Sequence, residues 1–335
     1  MLAWQVAPPA PIGEKPLRLV RRAVPRPGPD EVLIRVTACA LCRADLRVVE
    51  GDLPLRRSPI VPGHEIVGRV VDAGLGVDGF AADERVGLAW LRSTCSKCVY
   101  CRRGAENLCT QAAYTGWDAD GGLAEYVVAP AAFVYRLPAG YDDAELAPLL
   151  CAGIVGYRAL QRAELPHRGR LGIYGFGTAA CVAAQLAQAR RARLHVRTRA
   201  PAARDLAAAM GAASVGDLAT PIPEPLDAAI LFAPDGNLVP TVLAALGPGG
   251  TLTVAGLRLT DVPALDYRAC LSQERSLRTV TANTRADGQA FLAFAARQRV
   301  SVTTTPYPFD EADRALTDLA ENRVDGAAVV LHDAE

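Results

Sequence analysis

Residues 172–180 read GIYGFGTAA, with RLGIY leading in and TAACVAAQLAQARR leading out, so the stretch is a turn between a strand and an Ala-rich helix. Gly175, Gly177 and Ala180 form G-x-G-x-x-A, and Thr178 opens the helix. Gly175 permits a tight turn, Gly177 lets the backbone approach a pyrophosphate, and the small Ala180 allows the helix to pack closely on the sheet. A diphosphate would lie at the helix N-terminus, where free backbone N–H groups point outward. So short a pattern also fits a plain strand-turn-helix, and the surroundings have to decide. Downstream, LHVRT, PAARDLAAAMGA, AAILFA, NLVPTVLAALG and TLTVAG alternate strand-like with helix-like runs. That βαβ rhythm predicts a doubly wound parallel sheet that binds a dinucleotide.

Before about residue 145 the texture differs. Pro and Gly interrupt the chain every few residues, and short β-rich runs such as EVLIRVTA, HEIVGRVVDAG and ERVGLAW predict an irregular, mostly β domain. A length of 335 residues fits two domains better than one core. Half of the residues are hydrophobic and 36 basic groups balance 36 acidic ones, as in an enzyme with a small-molecule substrate and no nucleic-acid partner. The N-terminus carries no secretory pattern, and no apolar run of about 20 residues is present. A cytoplasmic protein with no membrane partner is expected, its nine cysteines reduced.

Those cysteines cluster. CSKCVYCRRGAENLC places Cys95, Cys98, Cys101 and Cys109 within 15 residues, a spacing that can close a tetrahedral thiolate shell around zinc. An iron–sulfur cluster can use similar spacing, but the Pro that commonly follows the last Cys of a bacterial ferredoxin is absent. With no ligand position open, such a zinc would be structural. Cys39 and Cys42 form a C-x-x-C pair followed by Asp45, which reads as a redox couple, half of a zinc site or two spectator thiols. His64 in VPGHEIVGRV and Cys151 in LAPLLCAGIVG are each ambiguous alone, since a lone His or buried Cys is commonly structural.

In their order along the chain, CRADL, GHE, the four-cysteine lobe, DGGLAEYVV, LLCAG, YGFGTAA and NTRADG resemble the zinc-dependent medium-chain alcohol dehydrogenases over essentially the whole length. The resemblance implies an α/β protein with a GroES-like catalytic domain over 1–146 and 286–335, a structural zinc lobe at 93–111, and a Rossmann domain over 147–285. It implies two zinc ions per chain: a catalytic one on Cys42, His64 and Cys151, and a structural one on the four-cysteine lobe. Asp45 would hydrogen-bond the ligating His and Glu65 would lie close behind the metal. Cys39 would be a bystander. Arg43 and Arg285 match family arginines that contact the coenzyme phosphates. A homodimer or homotetramer is also implied. Three protein ligands leave a position for an alcohol or carbonyl oxygen, so the metal can serve as a Lewis acid while hydride moves to or from the coenzyme.

Coenzyme choice turns on the end of the second strand, where a carboxylate would hold the ribose of NAD. HVRTRA instead places Thr198 there, between Arg197 and Arg199, which favours NADP(H) and leaves NAD(H) as the alternative. The family's usual proton relay, Ser or Thr two residues after the first zinc Cys and often His three beyond, is replaced by Ala44 and Arg47. Neither can pass a proton. Interconversion of an alcohol with its aldehyde or ketone is therefore weighed against NAD(P)H-dependent reduction of an activated C=N or C=C bond, and against a protein that binds nucleotide without catalysis. Trp90 and Trp117 read equally as pocket lining or core.

Overall fold

The computed structural model describes residues 1–332. One unit comprises Met1–Cys151 and the chain from Ala282 onward, the other Ala152–Thr281. The first boundary lies beyond 146 because Leu149 and Leu150 are fully buried in the first unit, Leu150 packing where Gly87 leaves room on the strand Arg85–Leu88. The second lies before 285, so Arg285 belongs to the first unit.

The first unit is organised around the strand Glu31–Leu41, whose sequence EVLIRVTACAL is buried along most of its length. It pairs antiparallel with Glu65–Ala73 on one side and with Tyr126–Pro130 and Ala327–Leu331 on the other, within a seven-stranded sheet. The register pairs Ala40 with Glu65, so one strand stops where its neighbour starts. Cys42 directly follows the first strand and His64 directly precedes the second, which brings together two residues 22 apart in sequence. The turn at His64 needs glycine before it. Gly63 has φ +96°, and a Cβ there would lie 2.7 Å from the Cys39 sulfur.

The second unit is a six-stranded sheet, parallel throughout, ordered Ser214–Gly216, Arg193–Arg197, Arg170–Tyr174, Leu226–Leu231, Leu246–Val254, Ser276–Thr279. This is the 3-2-1-4-5-6 order of a dinucleotide-binding fold, as the βαβ rhythm predicted. Gly175 turns with φ +84°, and a Cβ on it would meet Ala233 at 2.7 Å. No helix among the described residues is long and apolar enough to cross a membrane.

Candidate active site

Cys42 ends its strand and caps the helix Arg43–Glu50. Its sulfur accepts from the Ala44 N–H at 3.3 Å, and Asp45 Oδ2 accepts from the Cys42 N–H at 2.9 Å. This reciprocal cap fixes the thiol and also aims the other Asp45 oxygen. Asp45 Oδ1 accepts from the Gly63 N–H at 3.1 Å and lies 2.9 Å from His64 Nδ1. Asp45 and His64 are each about 99% removed from solvent, so the ring is held in one orientation, with Nδ1–H on the carboxylate and Nε2 turned to Cys42 Sγ at 3.7 Å. Cys151 follows the buried turn Ala147–Leu150 and completes the group. The donor atoms of Cys42, His64, Glu65 and Cys151 all lie within 4.8 Å of one another. Cys39, by contrast, stays in the strand with its sulfur 3.6 Å from the Ala40 carbonyl, outside that group.

The chemistry of this donor set fits a divalent cation. The hydrogen bond with Cys151 and then burial push the Cys42 thiol well above its usual range, and burial pushes the Glu65 carboxyl up as well. Burial opposes charge on His64, yet the adjacent Asp45 carboxylate holds the ring well above its ordinary value. Two thiols and the Glu65 carboxyl, buried this closely, resist ionising together. A dication among them reverses that preference, since ligating thiols must be deprotonated.

The four cysteines of the lobe also converge, with all four sulfurs within 4.8 Å. Cys98–Cys101 and Cys95–Cys109 sulfur pairs stand at 3.5 Å, close to the separation of about 3.8 Å that a tetrahedral shell with Zn–S bonds near 2.3 Å requires. Backbone N–H groups of Cys95, Cys98, Cys101 and Gln111 point at these sulfurs. Such donors favour thiolate, and those of Lys97 and Cys98 bring Cys95 down to about 6.

In the second unit the residues of G-x-G-x-x-A form the expected strand-turn-helix. A Cβ on Gly177 would meet nothing within 4 Å, and the helix Thr178–Ala189 has no side-chain cap, while Ala180 is buried. Open space over free helix N–H groups suits a diphosphate. The arginines divide differently from the sequence reading. Arg197 is buried, its guanidinium bonded to the carbonyls of Thr220 and Pro221 and to Ser214, so it cannot face a ribose phosphate. Both faces of a parallel sheet are covered, and a charged residue at the end of its strand must find acceptors inside. Thr198 is also buried. Arg199 points outward and pairs with Asp235 at 3.0 Å. Arg204, which the sequence did not single out, donates to the carbonyls of Thr198 and Arg199 and stands beside that strand end.

Arg43 and Arg285 are both engaged within the first unit. Arg43 bonds Asn322 Oδ1 at 2.6 Å. Arg285 forms a fork on the Glu106 carboxylate, with Nε and Nη2 at 3.0 and 2.7 Å, and lies over Phe133. Its charge is therefore answered by the four-cysteine lobe. Trp90 stands edge-on to the His64 ring at 4.8 Å and stacks with Tyr114 and Trp117, and Arg56 covers Trp117 at 4.2 Å. Tyr114 and Arg56 carried no sequence signal, because only folding of the loop after the lobe brings them to this wall.

Comparison with known proteins agrees with this arrangement. Residues 28–139 match the alcohol dehydrogenase GroES-like domain. Over 336 aligned residues, 99% of this chain and 97% of the relative, the chain is 57% identical to a probable alcohol dehydrogenase, AdhA, of Mycobacterium tuberculosis. The chain belongs to the zinc-type medium-chain alcohol dehydrogenase family. Among solved structures of similar fold are a cinnamyl alcohol dehydrogenase of Sorghum bicolor (TM-score 0.88, 28% identity, covering 98% of this chain and 96% of that one) and a cobalt- and zinc-bound thermostable alcohol dehydrogenase of Pyrobaculum aerophilum (TM-score 0.86, 26% identity, 99% of each). As a member of this family the chain is an oxidoreductase.

Proposed function

We propose that this alcohol dehydrogenase transfers hydride between NADP(H) and an alcohol/aldehyde or alcohol/ketone pair, with one catalytic and one structural zinc per chain. The observation that carries the reading is the convergence of Cys42, His64 and Cys151 with Asp45 gripping the far side of the imidazole. When bound there, zinc supplies a Lewis acid for the substrate oxygen. The chain's own residues do the rest. Asp45 holds the Nδ1 side of the His64 ring and so aims Nε2 inward, and the Cys42 cap holds the first thiol in register with it. Trp90, Tyr114 and Trp117 form an apolar wall beside His64, which favours alcohols with an apolar or aryl body over small hydrophilic ones. Assembly as a homodimer or homotetramer in the cytoplasm accords with this reading.

Ala44 and Arg47 leave the proton to water. Ala44 has only its N–H, which is bonded to Cys42 Sγ, and the Arg47 Nε is buried without a hydrogen-bond partner. Wild-type enzyme should oxidise apolar alcohols with NADP, and Ala44→Thr combined with Arg47→His should raise that rate about tenfold or more by restoring a relay. Steady-state kinetics on an alcohol panel tests this: no alcohol turnover with either coenzyme, by wild type or variant, would overturn the function.

Coenzyme preference rests on Arg199 and Arg204, which present positive charge where the fold commonly places a carboxylate. Arg199→Ala should weaken NADPH by roughly tenfold, the worth of about 1.4 kcal/mol, and leave NADH nearly unchanged. Direct fluorescence titration measures both. Equal weakening of the two coenzymes would show that Arg199 does not read the 2'-phosphate.

A further inference from the structure

A cavity lies in the first unit, built from residues that the hydride-transfer site does not use. Its volume is about 220 Å³, and its lining includes Arg22, Arg57, Arg92, Asp120 and Tyr126. The three guanidiniums come from separate segments: Arg22 follows the strand Leu17–Arg21, Arg57 lies in the loop before Glu65–Ala73, and Arg92 sits in the strand Leu91–Ser93. One carboxylate answers them inside the cavity. Asp120 Oδ2 takes Arg22 Nη2 at 2.9 Å and stands 3.5 Å from Arg57 Nη2, while its Oδ1 accepts from the Val61 N–H at 3.1 Å. Glu31 pairs with Arg92 from outside the lining at 3.2 Å, and Arg92 Nη1 donates to the Val128 carbonyl at 2.6 Å.

Two features leave this group short of acceptors. Arg22 Nη1 is buried and finds no acceptor in the protein. Arg22 and Arg57 also share the single oxygen Asp120 Oδ2, so that, with Glu31 on Arg92, three guanidiniums face two carboxylates. A buried donor left unpaired is costly, and Arg92, 12% exposed, already pays for its desolvation with a lowered affinity for its proton.

We propose that this cavity is a binding site for a phosphate group, free or carried on a small phosphomonoester. Guanidinium forks match phosphate oxygens, and groups arriving from three segments suit a tetrahedral dianion, which offers oxygens in several directions, better than a planar carboxylate. The volume equals that of several waters at about 30 Å³ each, room for a phosphate with a short organic stem. Arg22 Nη1 gains its acceptor, and the anion offsets the excess positive charge of the guanidiniums. None of its lining residues belongs to the unit that holds the G-x-G-x-x-A turn.

Isothermal titration of the zinc-loaded protein at constant ionic strength tests the proposal, with inorganic phosphate and glycerol phosphate as probes, each with and without saturating NADPH. Saturable binding that persists with NADPH present is expected. Arg57→Gln, a change on a half-exposed side chain that the fold tolerates, should weaken it about tenfold or more, and Arg22→Gln should do the same, with alcohol turnover and NADPH affinity unchanged. Tighter binding of the ester supports an organic phosphate as occupant, and equal binding supports the free ion. Absence of saturable heat overturns the site. So does binding that NADPH abolishes and Arg57→Gln leaves intact, because that phosphate occupies the coenzyme cradle.

Discussion

Cys42→Ser should lower alcohol turnover by about 10³-fold or more, the rate equivalent of several kcal/mol of lost charge stabilisation, while the protein remains folded. The two consequences separate because Cys42 has two jobs. In the proposed centre its thiolate would be one of three protein donors to zinc, and a hydroxyl is a poor substitute for it. As the residue capping Arg43–Glu50 it accepts from the Ala44 N–H, and there Ser is fully competent. Cys42→Ala removes both. It should be as inactive as the Ser variant and about 1 kcal/mol less stable, the usual cost of losing such a cap. Chemical denaturation with zinc analysis distinguishes them. A Cys42→Ser enzyme that retains wild-type turnover would remove Cys42 from the catalytic centre.

Cys98→Ala should leave catalytic chemistry possible but cost about 4 kcal/mol or more of stability, with zinc falling from two ions per chain to one. The lobe has almost no core of its own. Val99 and Leu108 are exposed, its helices Val99–Arg102 and Glu106–Leu108 are single turns, and Glu106, Asn107 and Cys109 are its buried residues. Four sulfurs around the proposed zinc would therefore stand in for hydrophobic packing. Losing the ion also loosens Glu106, whose carboxylate binds both the Arg285 guanidinium and the N–H of Arg285 at the start of the helix Arg285–Arg297. The melting temperature should fall by about 10 °C, and cleavage by protease should begin between residues 95 and 109. A variant that melts like wild type and still carries two zinc ions would show that the lobe's sulfurs do not hold one.

Much of this protein is legible one residue at a time because some of its chemistry is local. Cys95, Cys98, Cys101 and Cys109 fall within 15 residues, so their spacing alone brings them to one ion. Gly175, Gly177 and Ala180 likewise sit in one turn, and the alternation of strand and helix around them implies the doubly wound parallel sheet found here. The proposed catalytic donors are different. Cys42, His64 and Cys151 span more than a hundred positions, and family resemblance joined them on paper. In the molecule they are joined by the antiparallel register that pairs Ala40 with Glu65 and by the burial of Leu149 and Leu150.

Charge is less legible in the sequence, and the reason is physical. A guanidinium on a flexible stem can turn to any acceptor within several ångströms, so its position in the chain does not say which group it serves. Arg197 and Arg199 look equivalent in HVRTRA, yet one is held inside by Thr220, Ser214 and Pro221 and the other reaches outward to Asp235. Arg285 sits in a segment that resembles a coenzyme contact, and Glu106 claims it from 179 residues away. Covalent spacing and hydrophobic period set the fold class, the four-cysteine cluster and the dinucleotide turn, so these can be read from the chain alone. Tertiary structure alone decided which arginines remain available to an anion, because that depends on acceptors delivered by other segments of the chain.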